Sequence, residues 1–206
     1  FHILNKADLS LADGFGLKIA AWLFGVNISR VTGSDTTVKL LKIAAEKGNR
    51  VMILNWEEGL SQPSDIKIAL TKKFPGLIFS VLNISRAKFL SDENIEKINQ
   101  FAPEILFNTL GFPYQEKLMY YNIKRLPTVR VALGIGGSFD FISGKVKRAP
   151  KIFRSLGLEW FWRLLISFFK GNPGKRIRRI YQATFVFMGK VLKSRTKSLK
   201  ESFTKK

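Results

Sequence analysis

Four glycine-containing strings hold the residues of this chain best suited to chemistry. ADGFG (Ala12–Gly16) sets one carboxylate, Asp13, beside Gly14 and Gly16. Such a carboxylate can take a proton from a hydroxyl group, and the glycines let a backbone or a ligand come close. The same aspartate can instead cap the following helix. RVTGSD (Arg30–Asp35) offers the Arg30 guanidinium for a phosphate. Thr32, Gly33 and Ser34 can present backbone N–H groups at a helix N-terminus; an ordinary loop with Ser34 or Asp35 as N-cap fits equally. LGFPYQEK (Leu110–Lys117) carries Gln115 and Lys117, which can reach a sugar or a phosphate, or merely open a helix. GIGGSFDF (Gly134–Phe141) places Gly136 and Gly137 before Ser138 and Asp140, polar groups able to meet a hydroxyl or a ribose. It is not a full GxGxxG, because Phe139 stands at the last glycine, and no Gly-Lys-Ser/Thr follows to make a Walker loop. No Asp-x-Asp string occurs, which favours neutralising a diphosphate with side chains and backbone.

These strings need elements to position them. Arg50–Asn55, Leu77–Leu82, Ile105–Leu110 and Val129–Ile135 are short apolar runs that read as buried strands, with a shorter strand expected at Leu9–Ala12. Helical patterns lie between them, over about 14–24, 36–47, 64–74, 92–101 and 114–124. Ser91 marks a helix start, and Gly48 and Gly76 mark stops. The alternation predicts an α/β fold: a Rossmann-like, mainly parallel sheet with helices on both faces. Ligands in such sheets sit beyond the C-terminal ends of the strands, where ADGFG, LGFPYQEK and GIGGSFDF fall, while RVTGSD precedes a helix. The predicted core covers residues 1–149. Residues 150–206 form a basic, amphipathic helical appendage, in which Leu156, Trp160, Phe161, Leu164, Leu165, Phe168 and Phe169 share an apolar face. Gly171-Asn172-Pro173-Gly174 breaks that helix, a second follows over about Lys175–Lys193, and the last dozen residues read as frayed.

Composition narrows the function. With no cysteine and a single histidine, His2, thiol chemistry, disulfides and histidine-based triads or metal sites fall away. The net charge of +20 is concentrated after Gly144, where 18 basic residues face 2 acidic ones. Such a tail implies an anionic partner. Trp and Phe clustered on one helix face favour an anionic membrane surface over nucleic acid. No apolar run is long enough to span a bilayer and no signal peptide is visible, so the expected location is peripheral. The chain opens mid-pattern at Phe1, and further N-terminal sequence is expected to precede it.

Taken in order and spacing, ADGFG, RVTGSD, GFPYQEK, GGSFDFISGKVKRAP and LGLEWFWRL resemble the WecG/TagA/CpsF glycosyltransferases from about Leu4 to about Thr184. The resemblance implies an inverting, metal-independent enzyme, with no cofactor, on the cytoplasmic face of the membrane. It would move a sugar, often N-acetylmannosamine or its uronic acid, from a UDP-sugar donor to a polyprenyl-diphosphate-sugar acceptor for cell-surface polymers. It makes Asp13 the base and places Gln115 near the reacting sugars. Arg163, Arg176 and Arg179 would hold diphosphate. Gly14, Arg30, Thr32, Gly33, Asp35, Lys117, Gly136, Gly137, Ser138, Phe139, Asp140 and Arg148 complete the expected substrate-binding set. A homo-oligomer is compatible with the family. Three features depart from it. An earlier strand bearing a Thr and an Asn near the donor is not among these residues. The Leu-Gly-Gly turn expected after RVMIL reads Asn55-Trp56-Glu57-Glu58. ISFFKGN lengthens the gap between Arg163 and Pro173. Two rival readings are a non-catalytic family member that binds lipid-linked sugar or scaffolds polymer assembly, and a nucleic-acid-binding α/β protein.

Overall fold

A computed structural model describes residues 2–150, 152–153, 161–162 and 186–204. The chain divides into two compact units, residues 1–10 with 33–147 and residues 11–32 with 148–206.

The first unit is built on four parallel strands: β1 (Arg50–Trp56), β2 (Ile78–Ile84), β3 (Ile105–Asn108) and β4 (Val131–Gly134), in the order β2-β1-β3-β4. Leu54 pairs with Leu82 on one side and Asn108 on the other, and Asn108 pairs with Gly134. Pleating splits each strand between two cores. Val51, Ile53, Ile105 and Phe107 face a core with Leu41 and Ala44 of α3 (Gly33–Lys47), Ile66 and Leu70 of α4 (Pro63–Lys73), and Phe139 and Ile142 of α7 (Ser138–Ile142). Met52, Leu54 and Leu106 face the other, with Ile95 and Ile98 of α5 (Asp92–Phe101) and Leu118 of α6 (Tyr114–Asn122). This is the α/β sheet covered on both faces that the continuous apolar runs predict. β1 and β3 lie inside the sheet and are buried almost throughout, whereas the edge strands β2 and β4 are partly open. A short α1 (His2–Asn5) packs on α6.

Helix ends follow local chemistry. The Ser91 hydroxyl accepts a hydrogen bond from Asn94 N at 3.3 Å and caps α5. Asp65, in the first turn of α4, accepts from Gln62 N at 3.0 Å and pairs with Lys145 at 3.0 Å. Those contacts, the Gln62 amide first, hold its carboxyl below the usual range.

In the second unit α2 (Phe15–Leu23) packs against α8 (Phe187–Thr204). The strand expected at Leu9–Ala12 does not form. One backbone bond, from Val31 N to Ala12 O at 3.1 Å, is too little for a ladder. The terminal helix also runs on to Thr204, beyond the expected stop at Lys193. No glycine or proline intervenes there, and Lys, Leu and Glu favour continuing the helix. The expected helix over Leu156–Phe169, apart from Phe161 and Trp162, lies outside the described residues, as do Arg163, Arg176 and Arg179. Within the appendage, the Phe153 and Trp162 rings pack with centroids 5.4 Å apart.

Candidate functional site

Because the strands are parallel, Trp56, Ile84, Asn108 and Gly134 all end on one edge of the sheet. The chain leaves β1 for β2 on one side and returns to β3 on the other. The ends of β1 and β3 are therefore the switch point, where helical connections diverge and leave a crevice for ligands. Polar side chains line this point. Asn55, 3% exposed, donates through Nδ2 to Ser61 O at 3.0 Å and to Asn83 Oδ1 at 2.9 Å. Thr109 Oγ1 accepts from Trp56 N at 2.9 Å and donates to Asn55 Oδ1 at 3.4 Å, joining β1 to the segment after β3. Asn108 is fully buried and accepts from Leu110 N at 3.0 Å, shaping the turn that leads to α6.

Gln115, in the first turn of α6, is held at both ends of its carboxamide. Its Oε1 accepts from Gly136 N at 3.0 Å, and its Nε2 donates to Glu116 Oε1 at 2.8 Å. It thereby joins the PYQEK and GIGGSFDF strings. Gly134 leaves room for this side chain: a Cβ there would lie 2.6 Å from Gln115 Nε2 and force the carboxamide to shift. Gly136 has a φ of +50°, which L side chains disfavour. Glu116 Oε2 is buried and has no hydrogen-bond partner among the described residues. Lys117 is exposed on the same turn.

The other residues of the glycine string turn inward. Ser138, 3% exposed, donates to Ile135 O at 2.7 Å, so its oxygen receives the Ser34 hydroxyl at 3.1 Å. Phe139 is buried against Phe107, with centroids 6.0 Å apart. The Asp140 carboxylate accepts from Ser61 Oγ at 2.7 Å, and Ser143 Oγ lies 2.8 Å from the same serine. Gly137 leaves room for Asp140, whose Oδ2 would lie 2.8 Å from a Cβ at that position. Gly33 and Asp35 lie in the first turn of α3.

Asp13, Gly14, Arg30, Thr32 and Arg148 belong to the second unit. Arg30 Nε donates to the Asp13 carbonyl at 2.9 Å, so two of the strings meet here as well. Gly14 occupies the N-cap of α2, and Asp13 is an exposed residue just before it rather than the cap. Among the described residues, no group of three or more His, Asp or Glu is arranged to hold a metal ion.

Sequence reading missed Arg86. Two residues beyond β2, it donates through Nε to Leu110 O at 2.9 Å. Its guanidinium carbon lies 3.6 Å from the centroid of the Trp56 ring and 5.1 Å from that of Tyr114. The available signal was position, because Asn83, Arg86 and Thr109 all lie at or just past strand ends.

Fold and edge together define an α/β protein whose polar strand-end edge is bordered by a glycine turn. A family model described as "Glycosyl transferase WecG/TagA/CpsF family" matches residues 1–201, and the chain belongs to that family of transferase enzymes. Three similar proteins bear the name N-acetylglucosaminyldiphosphoundecaprenol N-acetyl-beta-D-mannosaminyltransferase. One, from Bacillus subtilis, is 31% identical over 81% of this chain and 64% of its own length. One from Bacillus spizizenii is 32% identical over 98% of this chain and 75% of its own. One from Staphylococcus aureus is 30% identical over 95% and 73%. The match thus spans just under two thirds of the first relative.

Proposed function

We propose that this chain acts as an inverting glycosyltransferase. It would move an N-acetylmannosamine-type sugar from a UDP donor to a sugar carried on undecaprenyl diphosphate, at the cytoplasmic membrane face. Membership of the family and the shared name of the three relatives support the reaction class. The observation that carries the reading is the bond from Gly136 N to Gln115 Oε1, which unites two of the family's strings at the strand-end crevice.

In this mechanism the Asp13 carboxylate takes the proton of the acceptor hydroxyl as that oxygen attacks the anomeric carbon. The bond to UDP breaks on the opposite face, and UDP leaves with the electron pair. Gln115 orients the reacting sugars. Arg30, Lys117 and Arg148, with Arg163, Arg176 and Arg179, neutralise the diphosphates. The exposure of Asp13 outside the helix cap supports its role as base. Gly14 follows Asp13 in the chain, Thr32, Gly33 and Asp35 are assigned to substrate binding beside the start of α3, and Gly136, Gly137, Ser138, Phe139 and Asp140 form and brace the donor turn. Beyond residue 149 the appendage would supply Arg163, Arg176 and Arg179 to this chemistry and also associate with the membrane. Exposed Lys190, Lys193 and Arg195 on α8 suit an anionic surface, and no helix among the described residues is long and apolar enough to cross a membrane.

The test offers a panel of UDP-sugars with a short-chain prenyl-diphosphate N-acetylglucosamine acceptor and follows UDP release. UDP-N-acetylmannosamine is expected to be consumed and the product to have an inverted anomeric centre. Asp13→Asn is expected to abolish transfer while UDP binding persists. No release with any donor would overturn the reading, and full activity in the variant would remove Asp13 as base.

A further inference from the structure

We propose that Arg86 is the anchor of a diphosphate-binding subsite at the ends of β1 and β2, an inference that rests on the transferase reading above. The guanidinium is fixed before any ligand arrives. Its Nε is committed to Leu110 O, one face lies over the Trp56 ring, and Tyr114 flanks it. Trp56 is itself packed on the second core, so the platform cannot swing away.

A guanidinium carries five N–H donors in one plane, and stacking on an indole leaves its edge open. Here Nε is used, while Nη1 and Nη2 have no acceptor among the described residues. No carboxylate there forms an ion pair with Arg86. That outer edge is a preorganised fork for two oxygens of one anion.

Location and charge choose the anion. Tyr114 opens α6, whose N-terminal turn also carries Gln115 and Lys117. The positive end of that helix lies on the same edge as Arg86, and its first turn carries the exposed Lys117 together with the Glu116 carboxylate. An exposed guanidinium fork beside a helix N-terminus suits the multiply charged diphosphate better than a single carboxylate. The shared chemistry can come from the nucleotide donor or from the lipid-linked acceptor.

The test is calorimetric titration of the full chain with inorganic diphosphate, UDP and farnesyl diphosphate, with uridine as control. Arg86→Met is expected to weaken inorganic diphosphate at least ~10-fold. Arg86→Lys should recover only part of that loss, because it keeps the charge without the fork. Uridine affinity should stay unchanged, and both variants should remain folded at the titration temperature with only a small drop in unfolding temperature from the lost Leu110 bond and Trp56 stacking. If only UDP suffers the same loss, the subsite serves the donor; if only farnesyl diphosphate does, it serves the acceptor. Unchanged diphosphate affinity in Arg86→Met, or a parallel loss for uridine, would overturn the proposal. If the parent takes inorganic diphosphate through Arg86 but neither organic diphosphate, the anion site stands and the transferase reading falls.

Discussion

The two edges of the sheet are closed in different ways. At the edge where strands begin, the main chain does most of the joining. Glu104 N donates to Arg50 O at 2.9 Å, and Glu104 O receives Arg130 N and Val131 N at 2.9 and 3.1 Å. One residue thus links the starts of β1, β3 and β4. At the edge where strands end, main-chain bonds from Glu57 N to Ile84 O, Thr109 N to Leu54 O and Ile135 N to Asn108 O are supplemented by a set of side-chain pairs: Asn55 to Asn83, Thr109 to Asn55, Ser61 to Asp140 and Ser34 to Ser138. Main-chain bonds tolerate any side chain and serve the fold. Side-chain bonds depend on residue type and keep spare donors and acceptors for a ligand. Substitutions at the starting edge should therefore cost stability, and those at the ending edge should cost activity first.

Gln115→Ala is the strongest test of that contrast. It removes the carboxamide that holds Gly136 and, on the proposed mechanism, the group beside the reacting sugars. Transfer should fall by about 100-fold or more, while stability falls by only about 1 kcal/mol for one lost hydrogen bond. Steady-state kinetics with urea unfolding would separate the two. A loss of activity that merely tracked unfolding would break the contrast.

Gly134→Ala should act through the same glutamine with a smaller effect. The new Cβ would overlap Gln115 Nε2 and Cδ, at 2.6 and 2.7 Å. The side chain must swing aside and release Gly136, costing about 1–3 kcal/mol if the site cannot relax. Activity should drop clearly but less than in Gln115→Ala. Combining the two substitutions should remove most of the additional cost, because no carboxamide is left to displace.

The contrast also explains what the sequence made legible. Continuous apolar runs such as VMIL and ILF, short and bounded by turn residues, read as strands covered on both faces, so the sheet and its helices were readable from length, period and punctuation. The strand-end strings were readable as well, since Gln115 and the glycine turn each follow a strand. Their partners were not. Ser61 and Asp140 are 79 residues apart and Ser34 and Ser138 are 104 apart, and no local pattern announces such pairings. Arg86 went unnoticed because stacking on Trp56 is a property of the folded edge. The missing strand at Leu9–Ala12 failed for the converse reason: its residues suit a strand, but a strand forms only where a neighbour continues the ladder.

Ser61→Ala probes the ending edge away from Gln115. Its hydroxyl joins the loop after β1 to the Asp140 carboxylate, with Ser143 alongside. Removing it leaves a partly buried carboxylate one donor short, which should cost about 1–2 kcal/mol. Donor affinity should weaken only modestly, because Ser61 braces the glycine turn without forming it. An effect on transfer as large as that of Gln115→Ala would mean that Asp140 acts on the substrate directly.

Glu104→Gln probes the starting edge and should leave activity at neutral pH unchanged. The Asn49 amide, 2.8 Å from Glu104 Oε2, is the main reason this carboxyl lies below the usual range, with Arg50 N and the charge of Arg130 adding to it. A carboxyl whose folded value is depressed adds stability above its unfolded value, about 4.3 for glutamate. That contribution disappears as the pH falls through the lower folded value, because the proton then binds both states alike. Glutamine preserves the shape but cannot titrate. Asp65 and Glu93, also held low, still titrate in the variant and leave part of the acid sensitivity in place. Urea midpoints compared at neutral pH and near pH 3 should therefore converge partly in Glu104→Gln relative to the parent. Identical acid sensitivity in the two proteins would mean that the carboxylate is a bystander and that the main chain alone closes this edge.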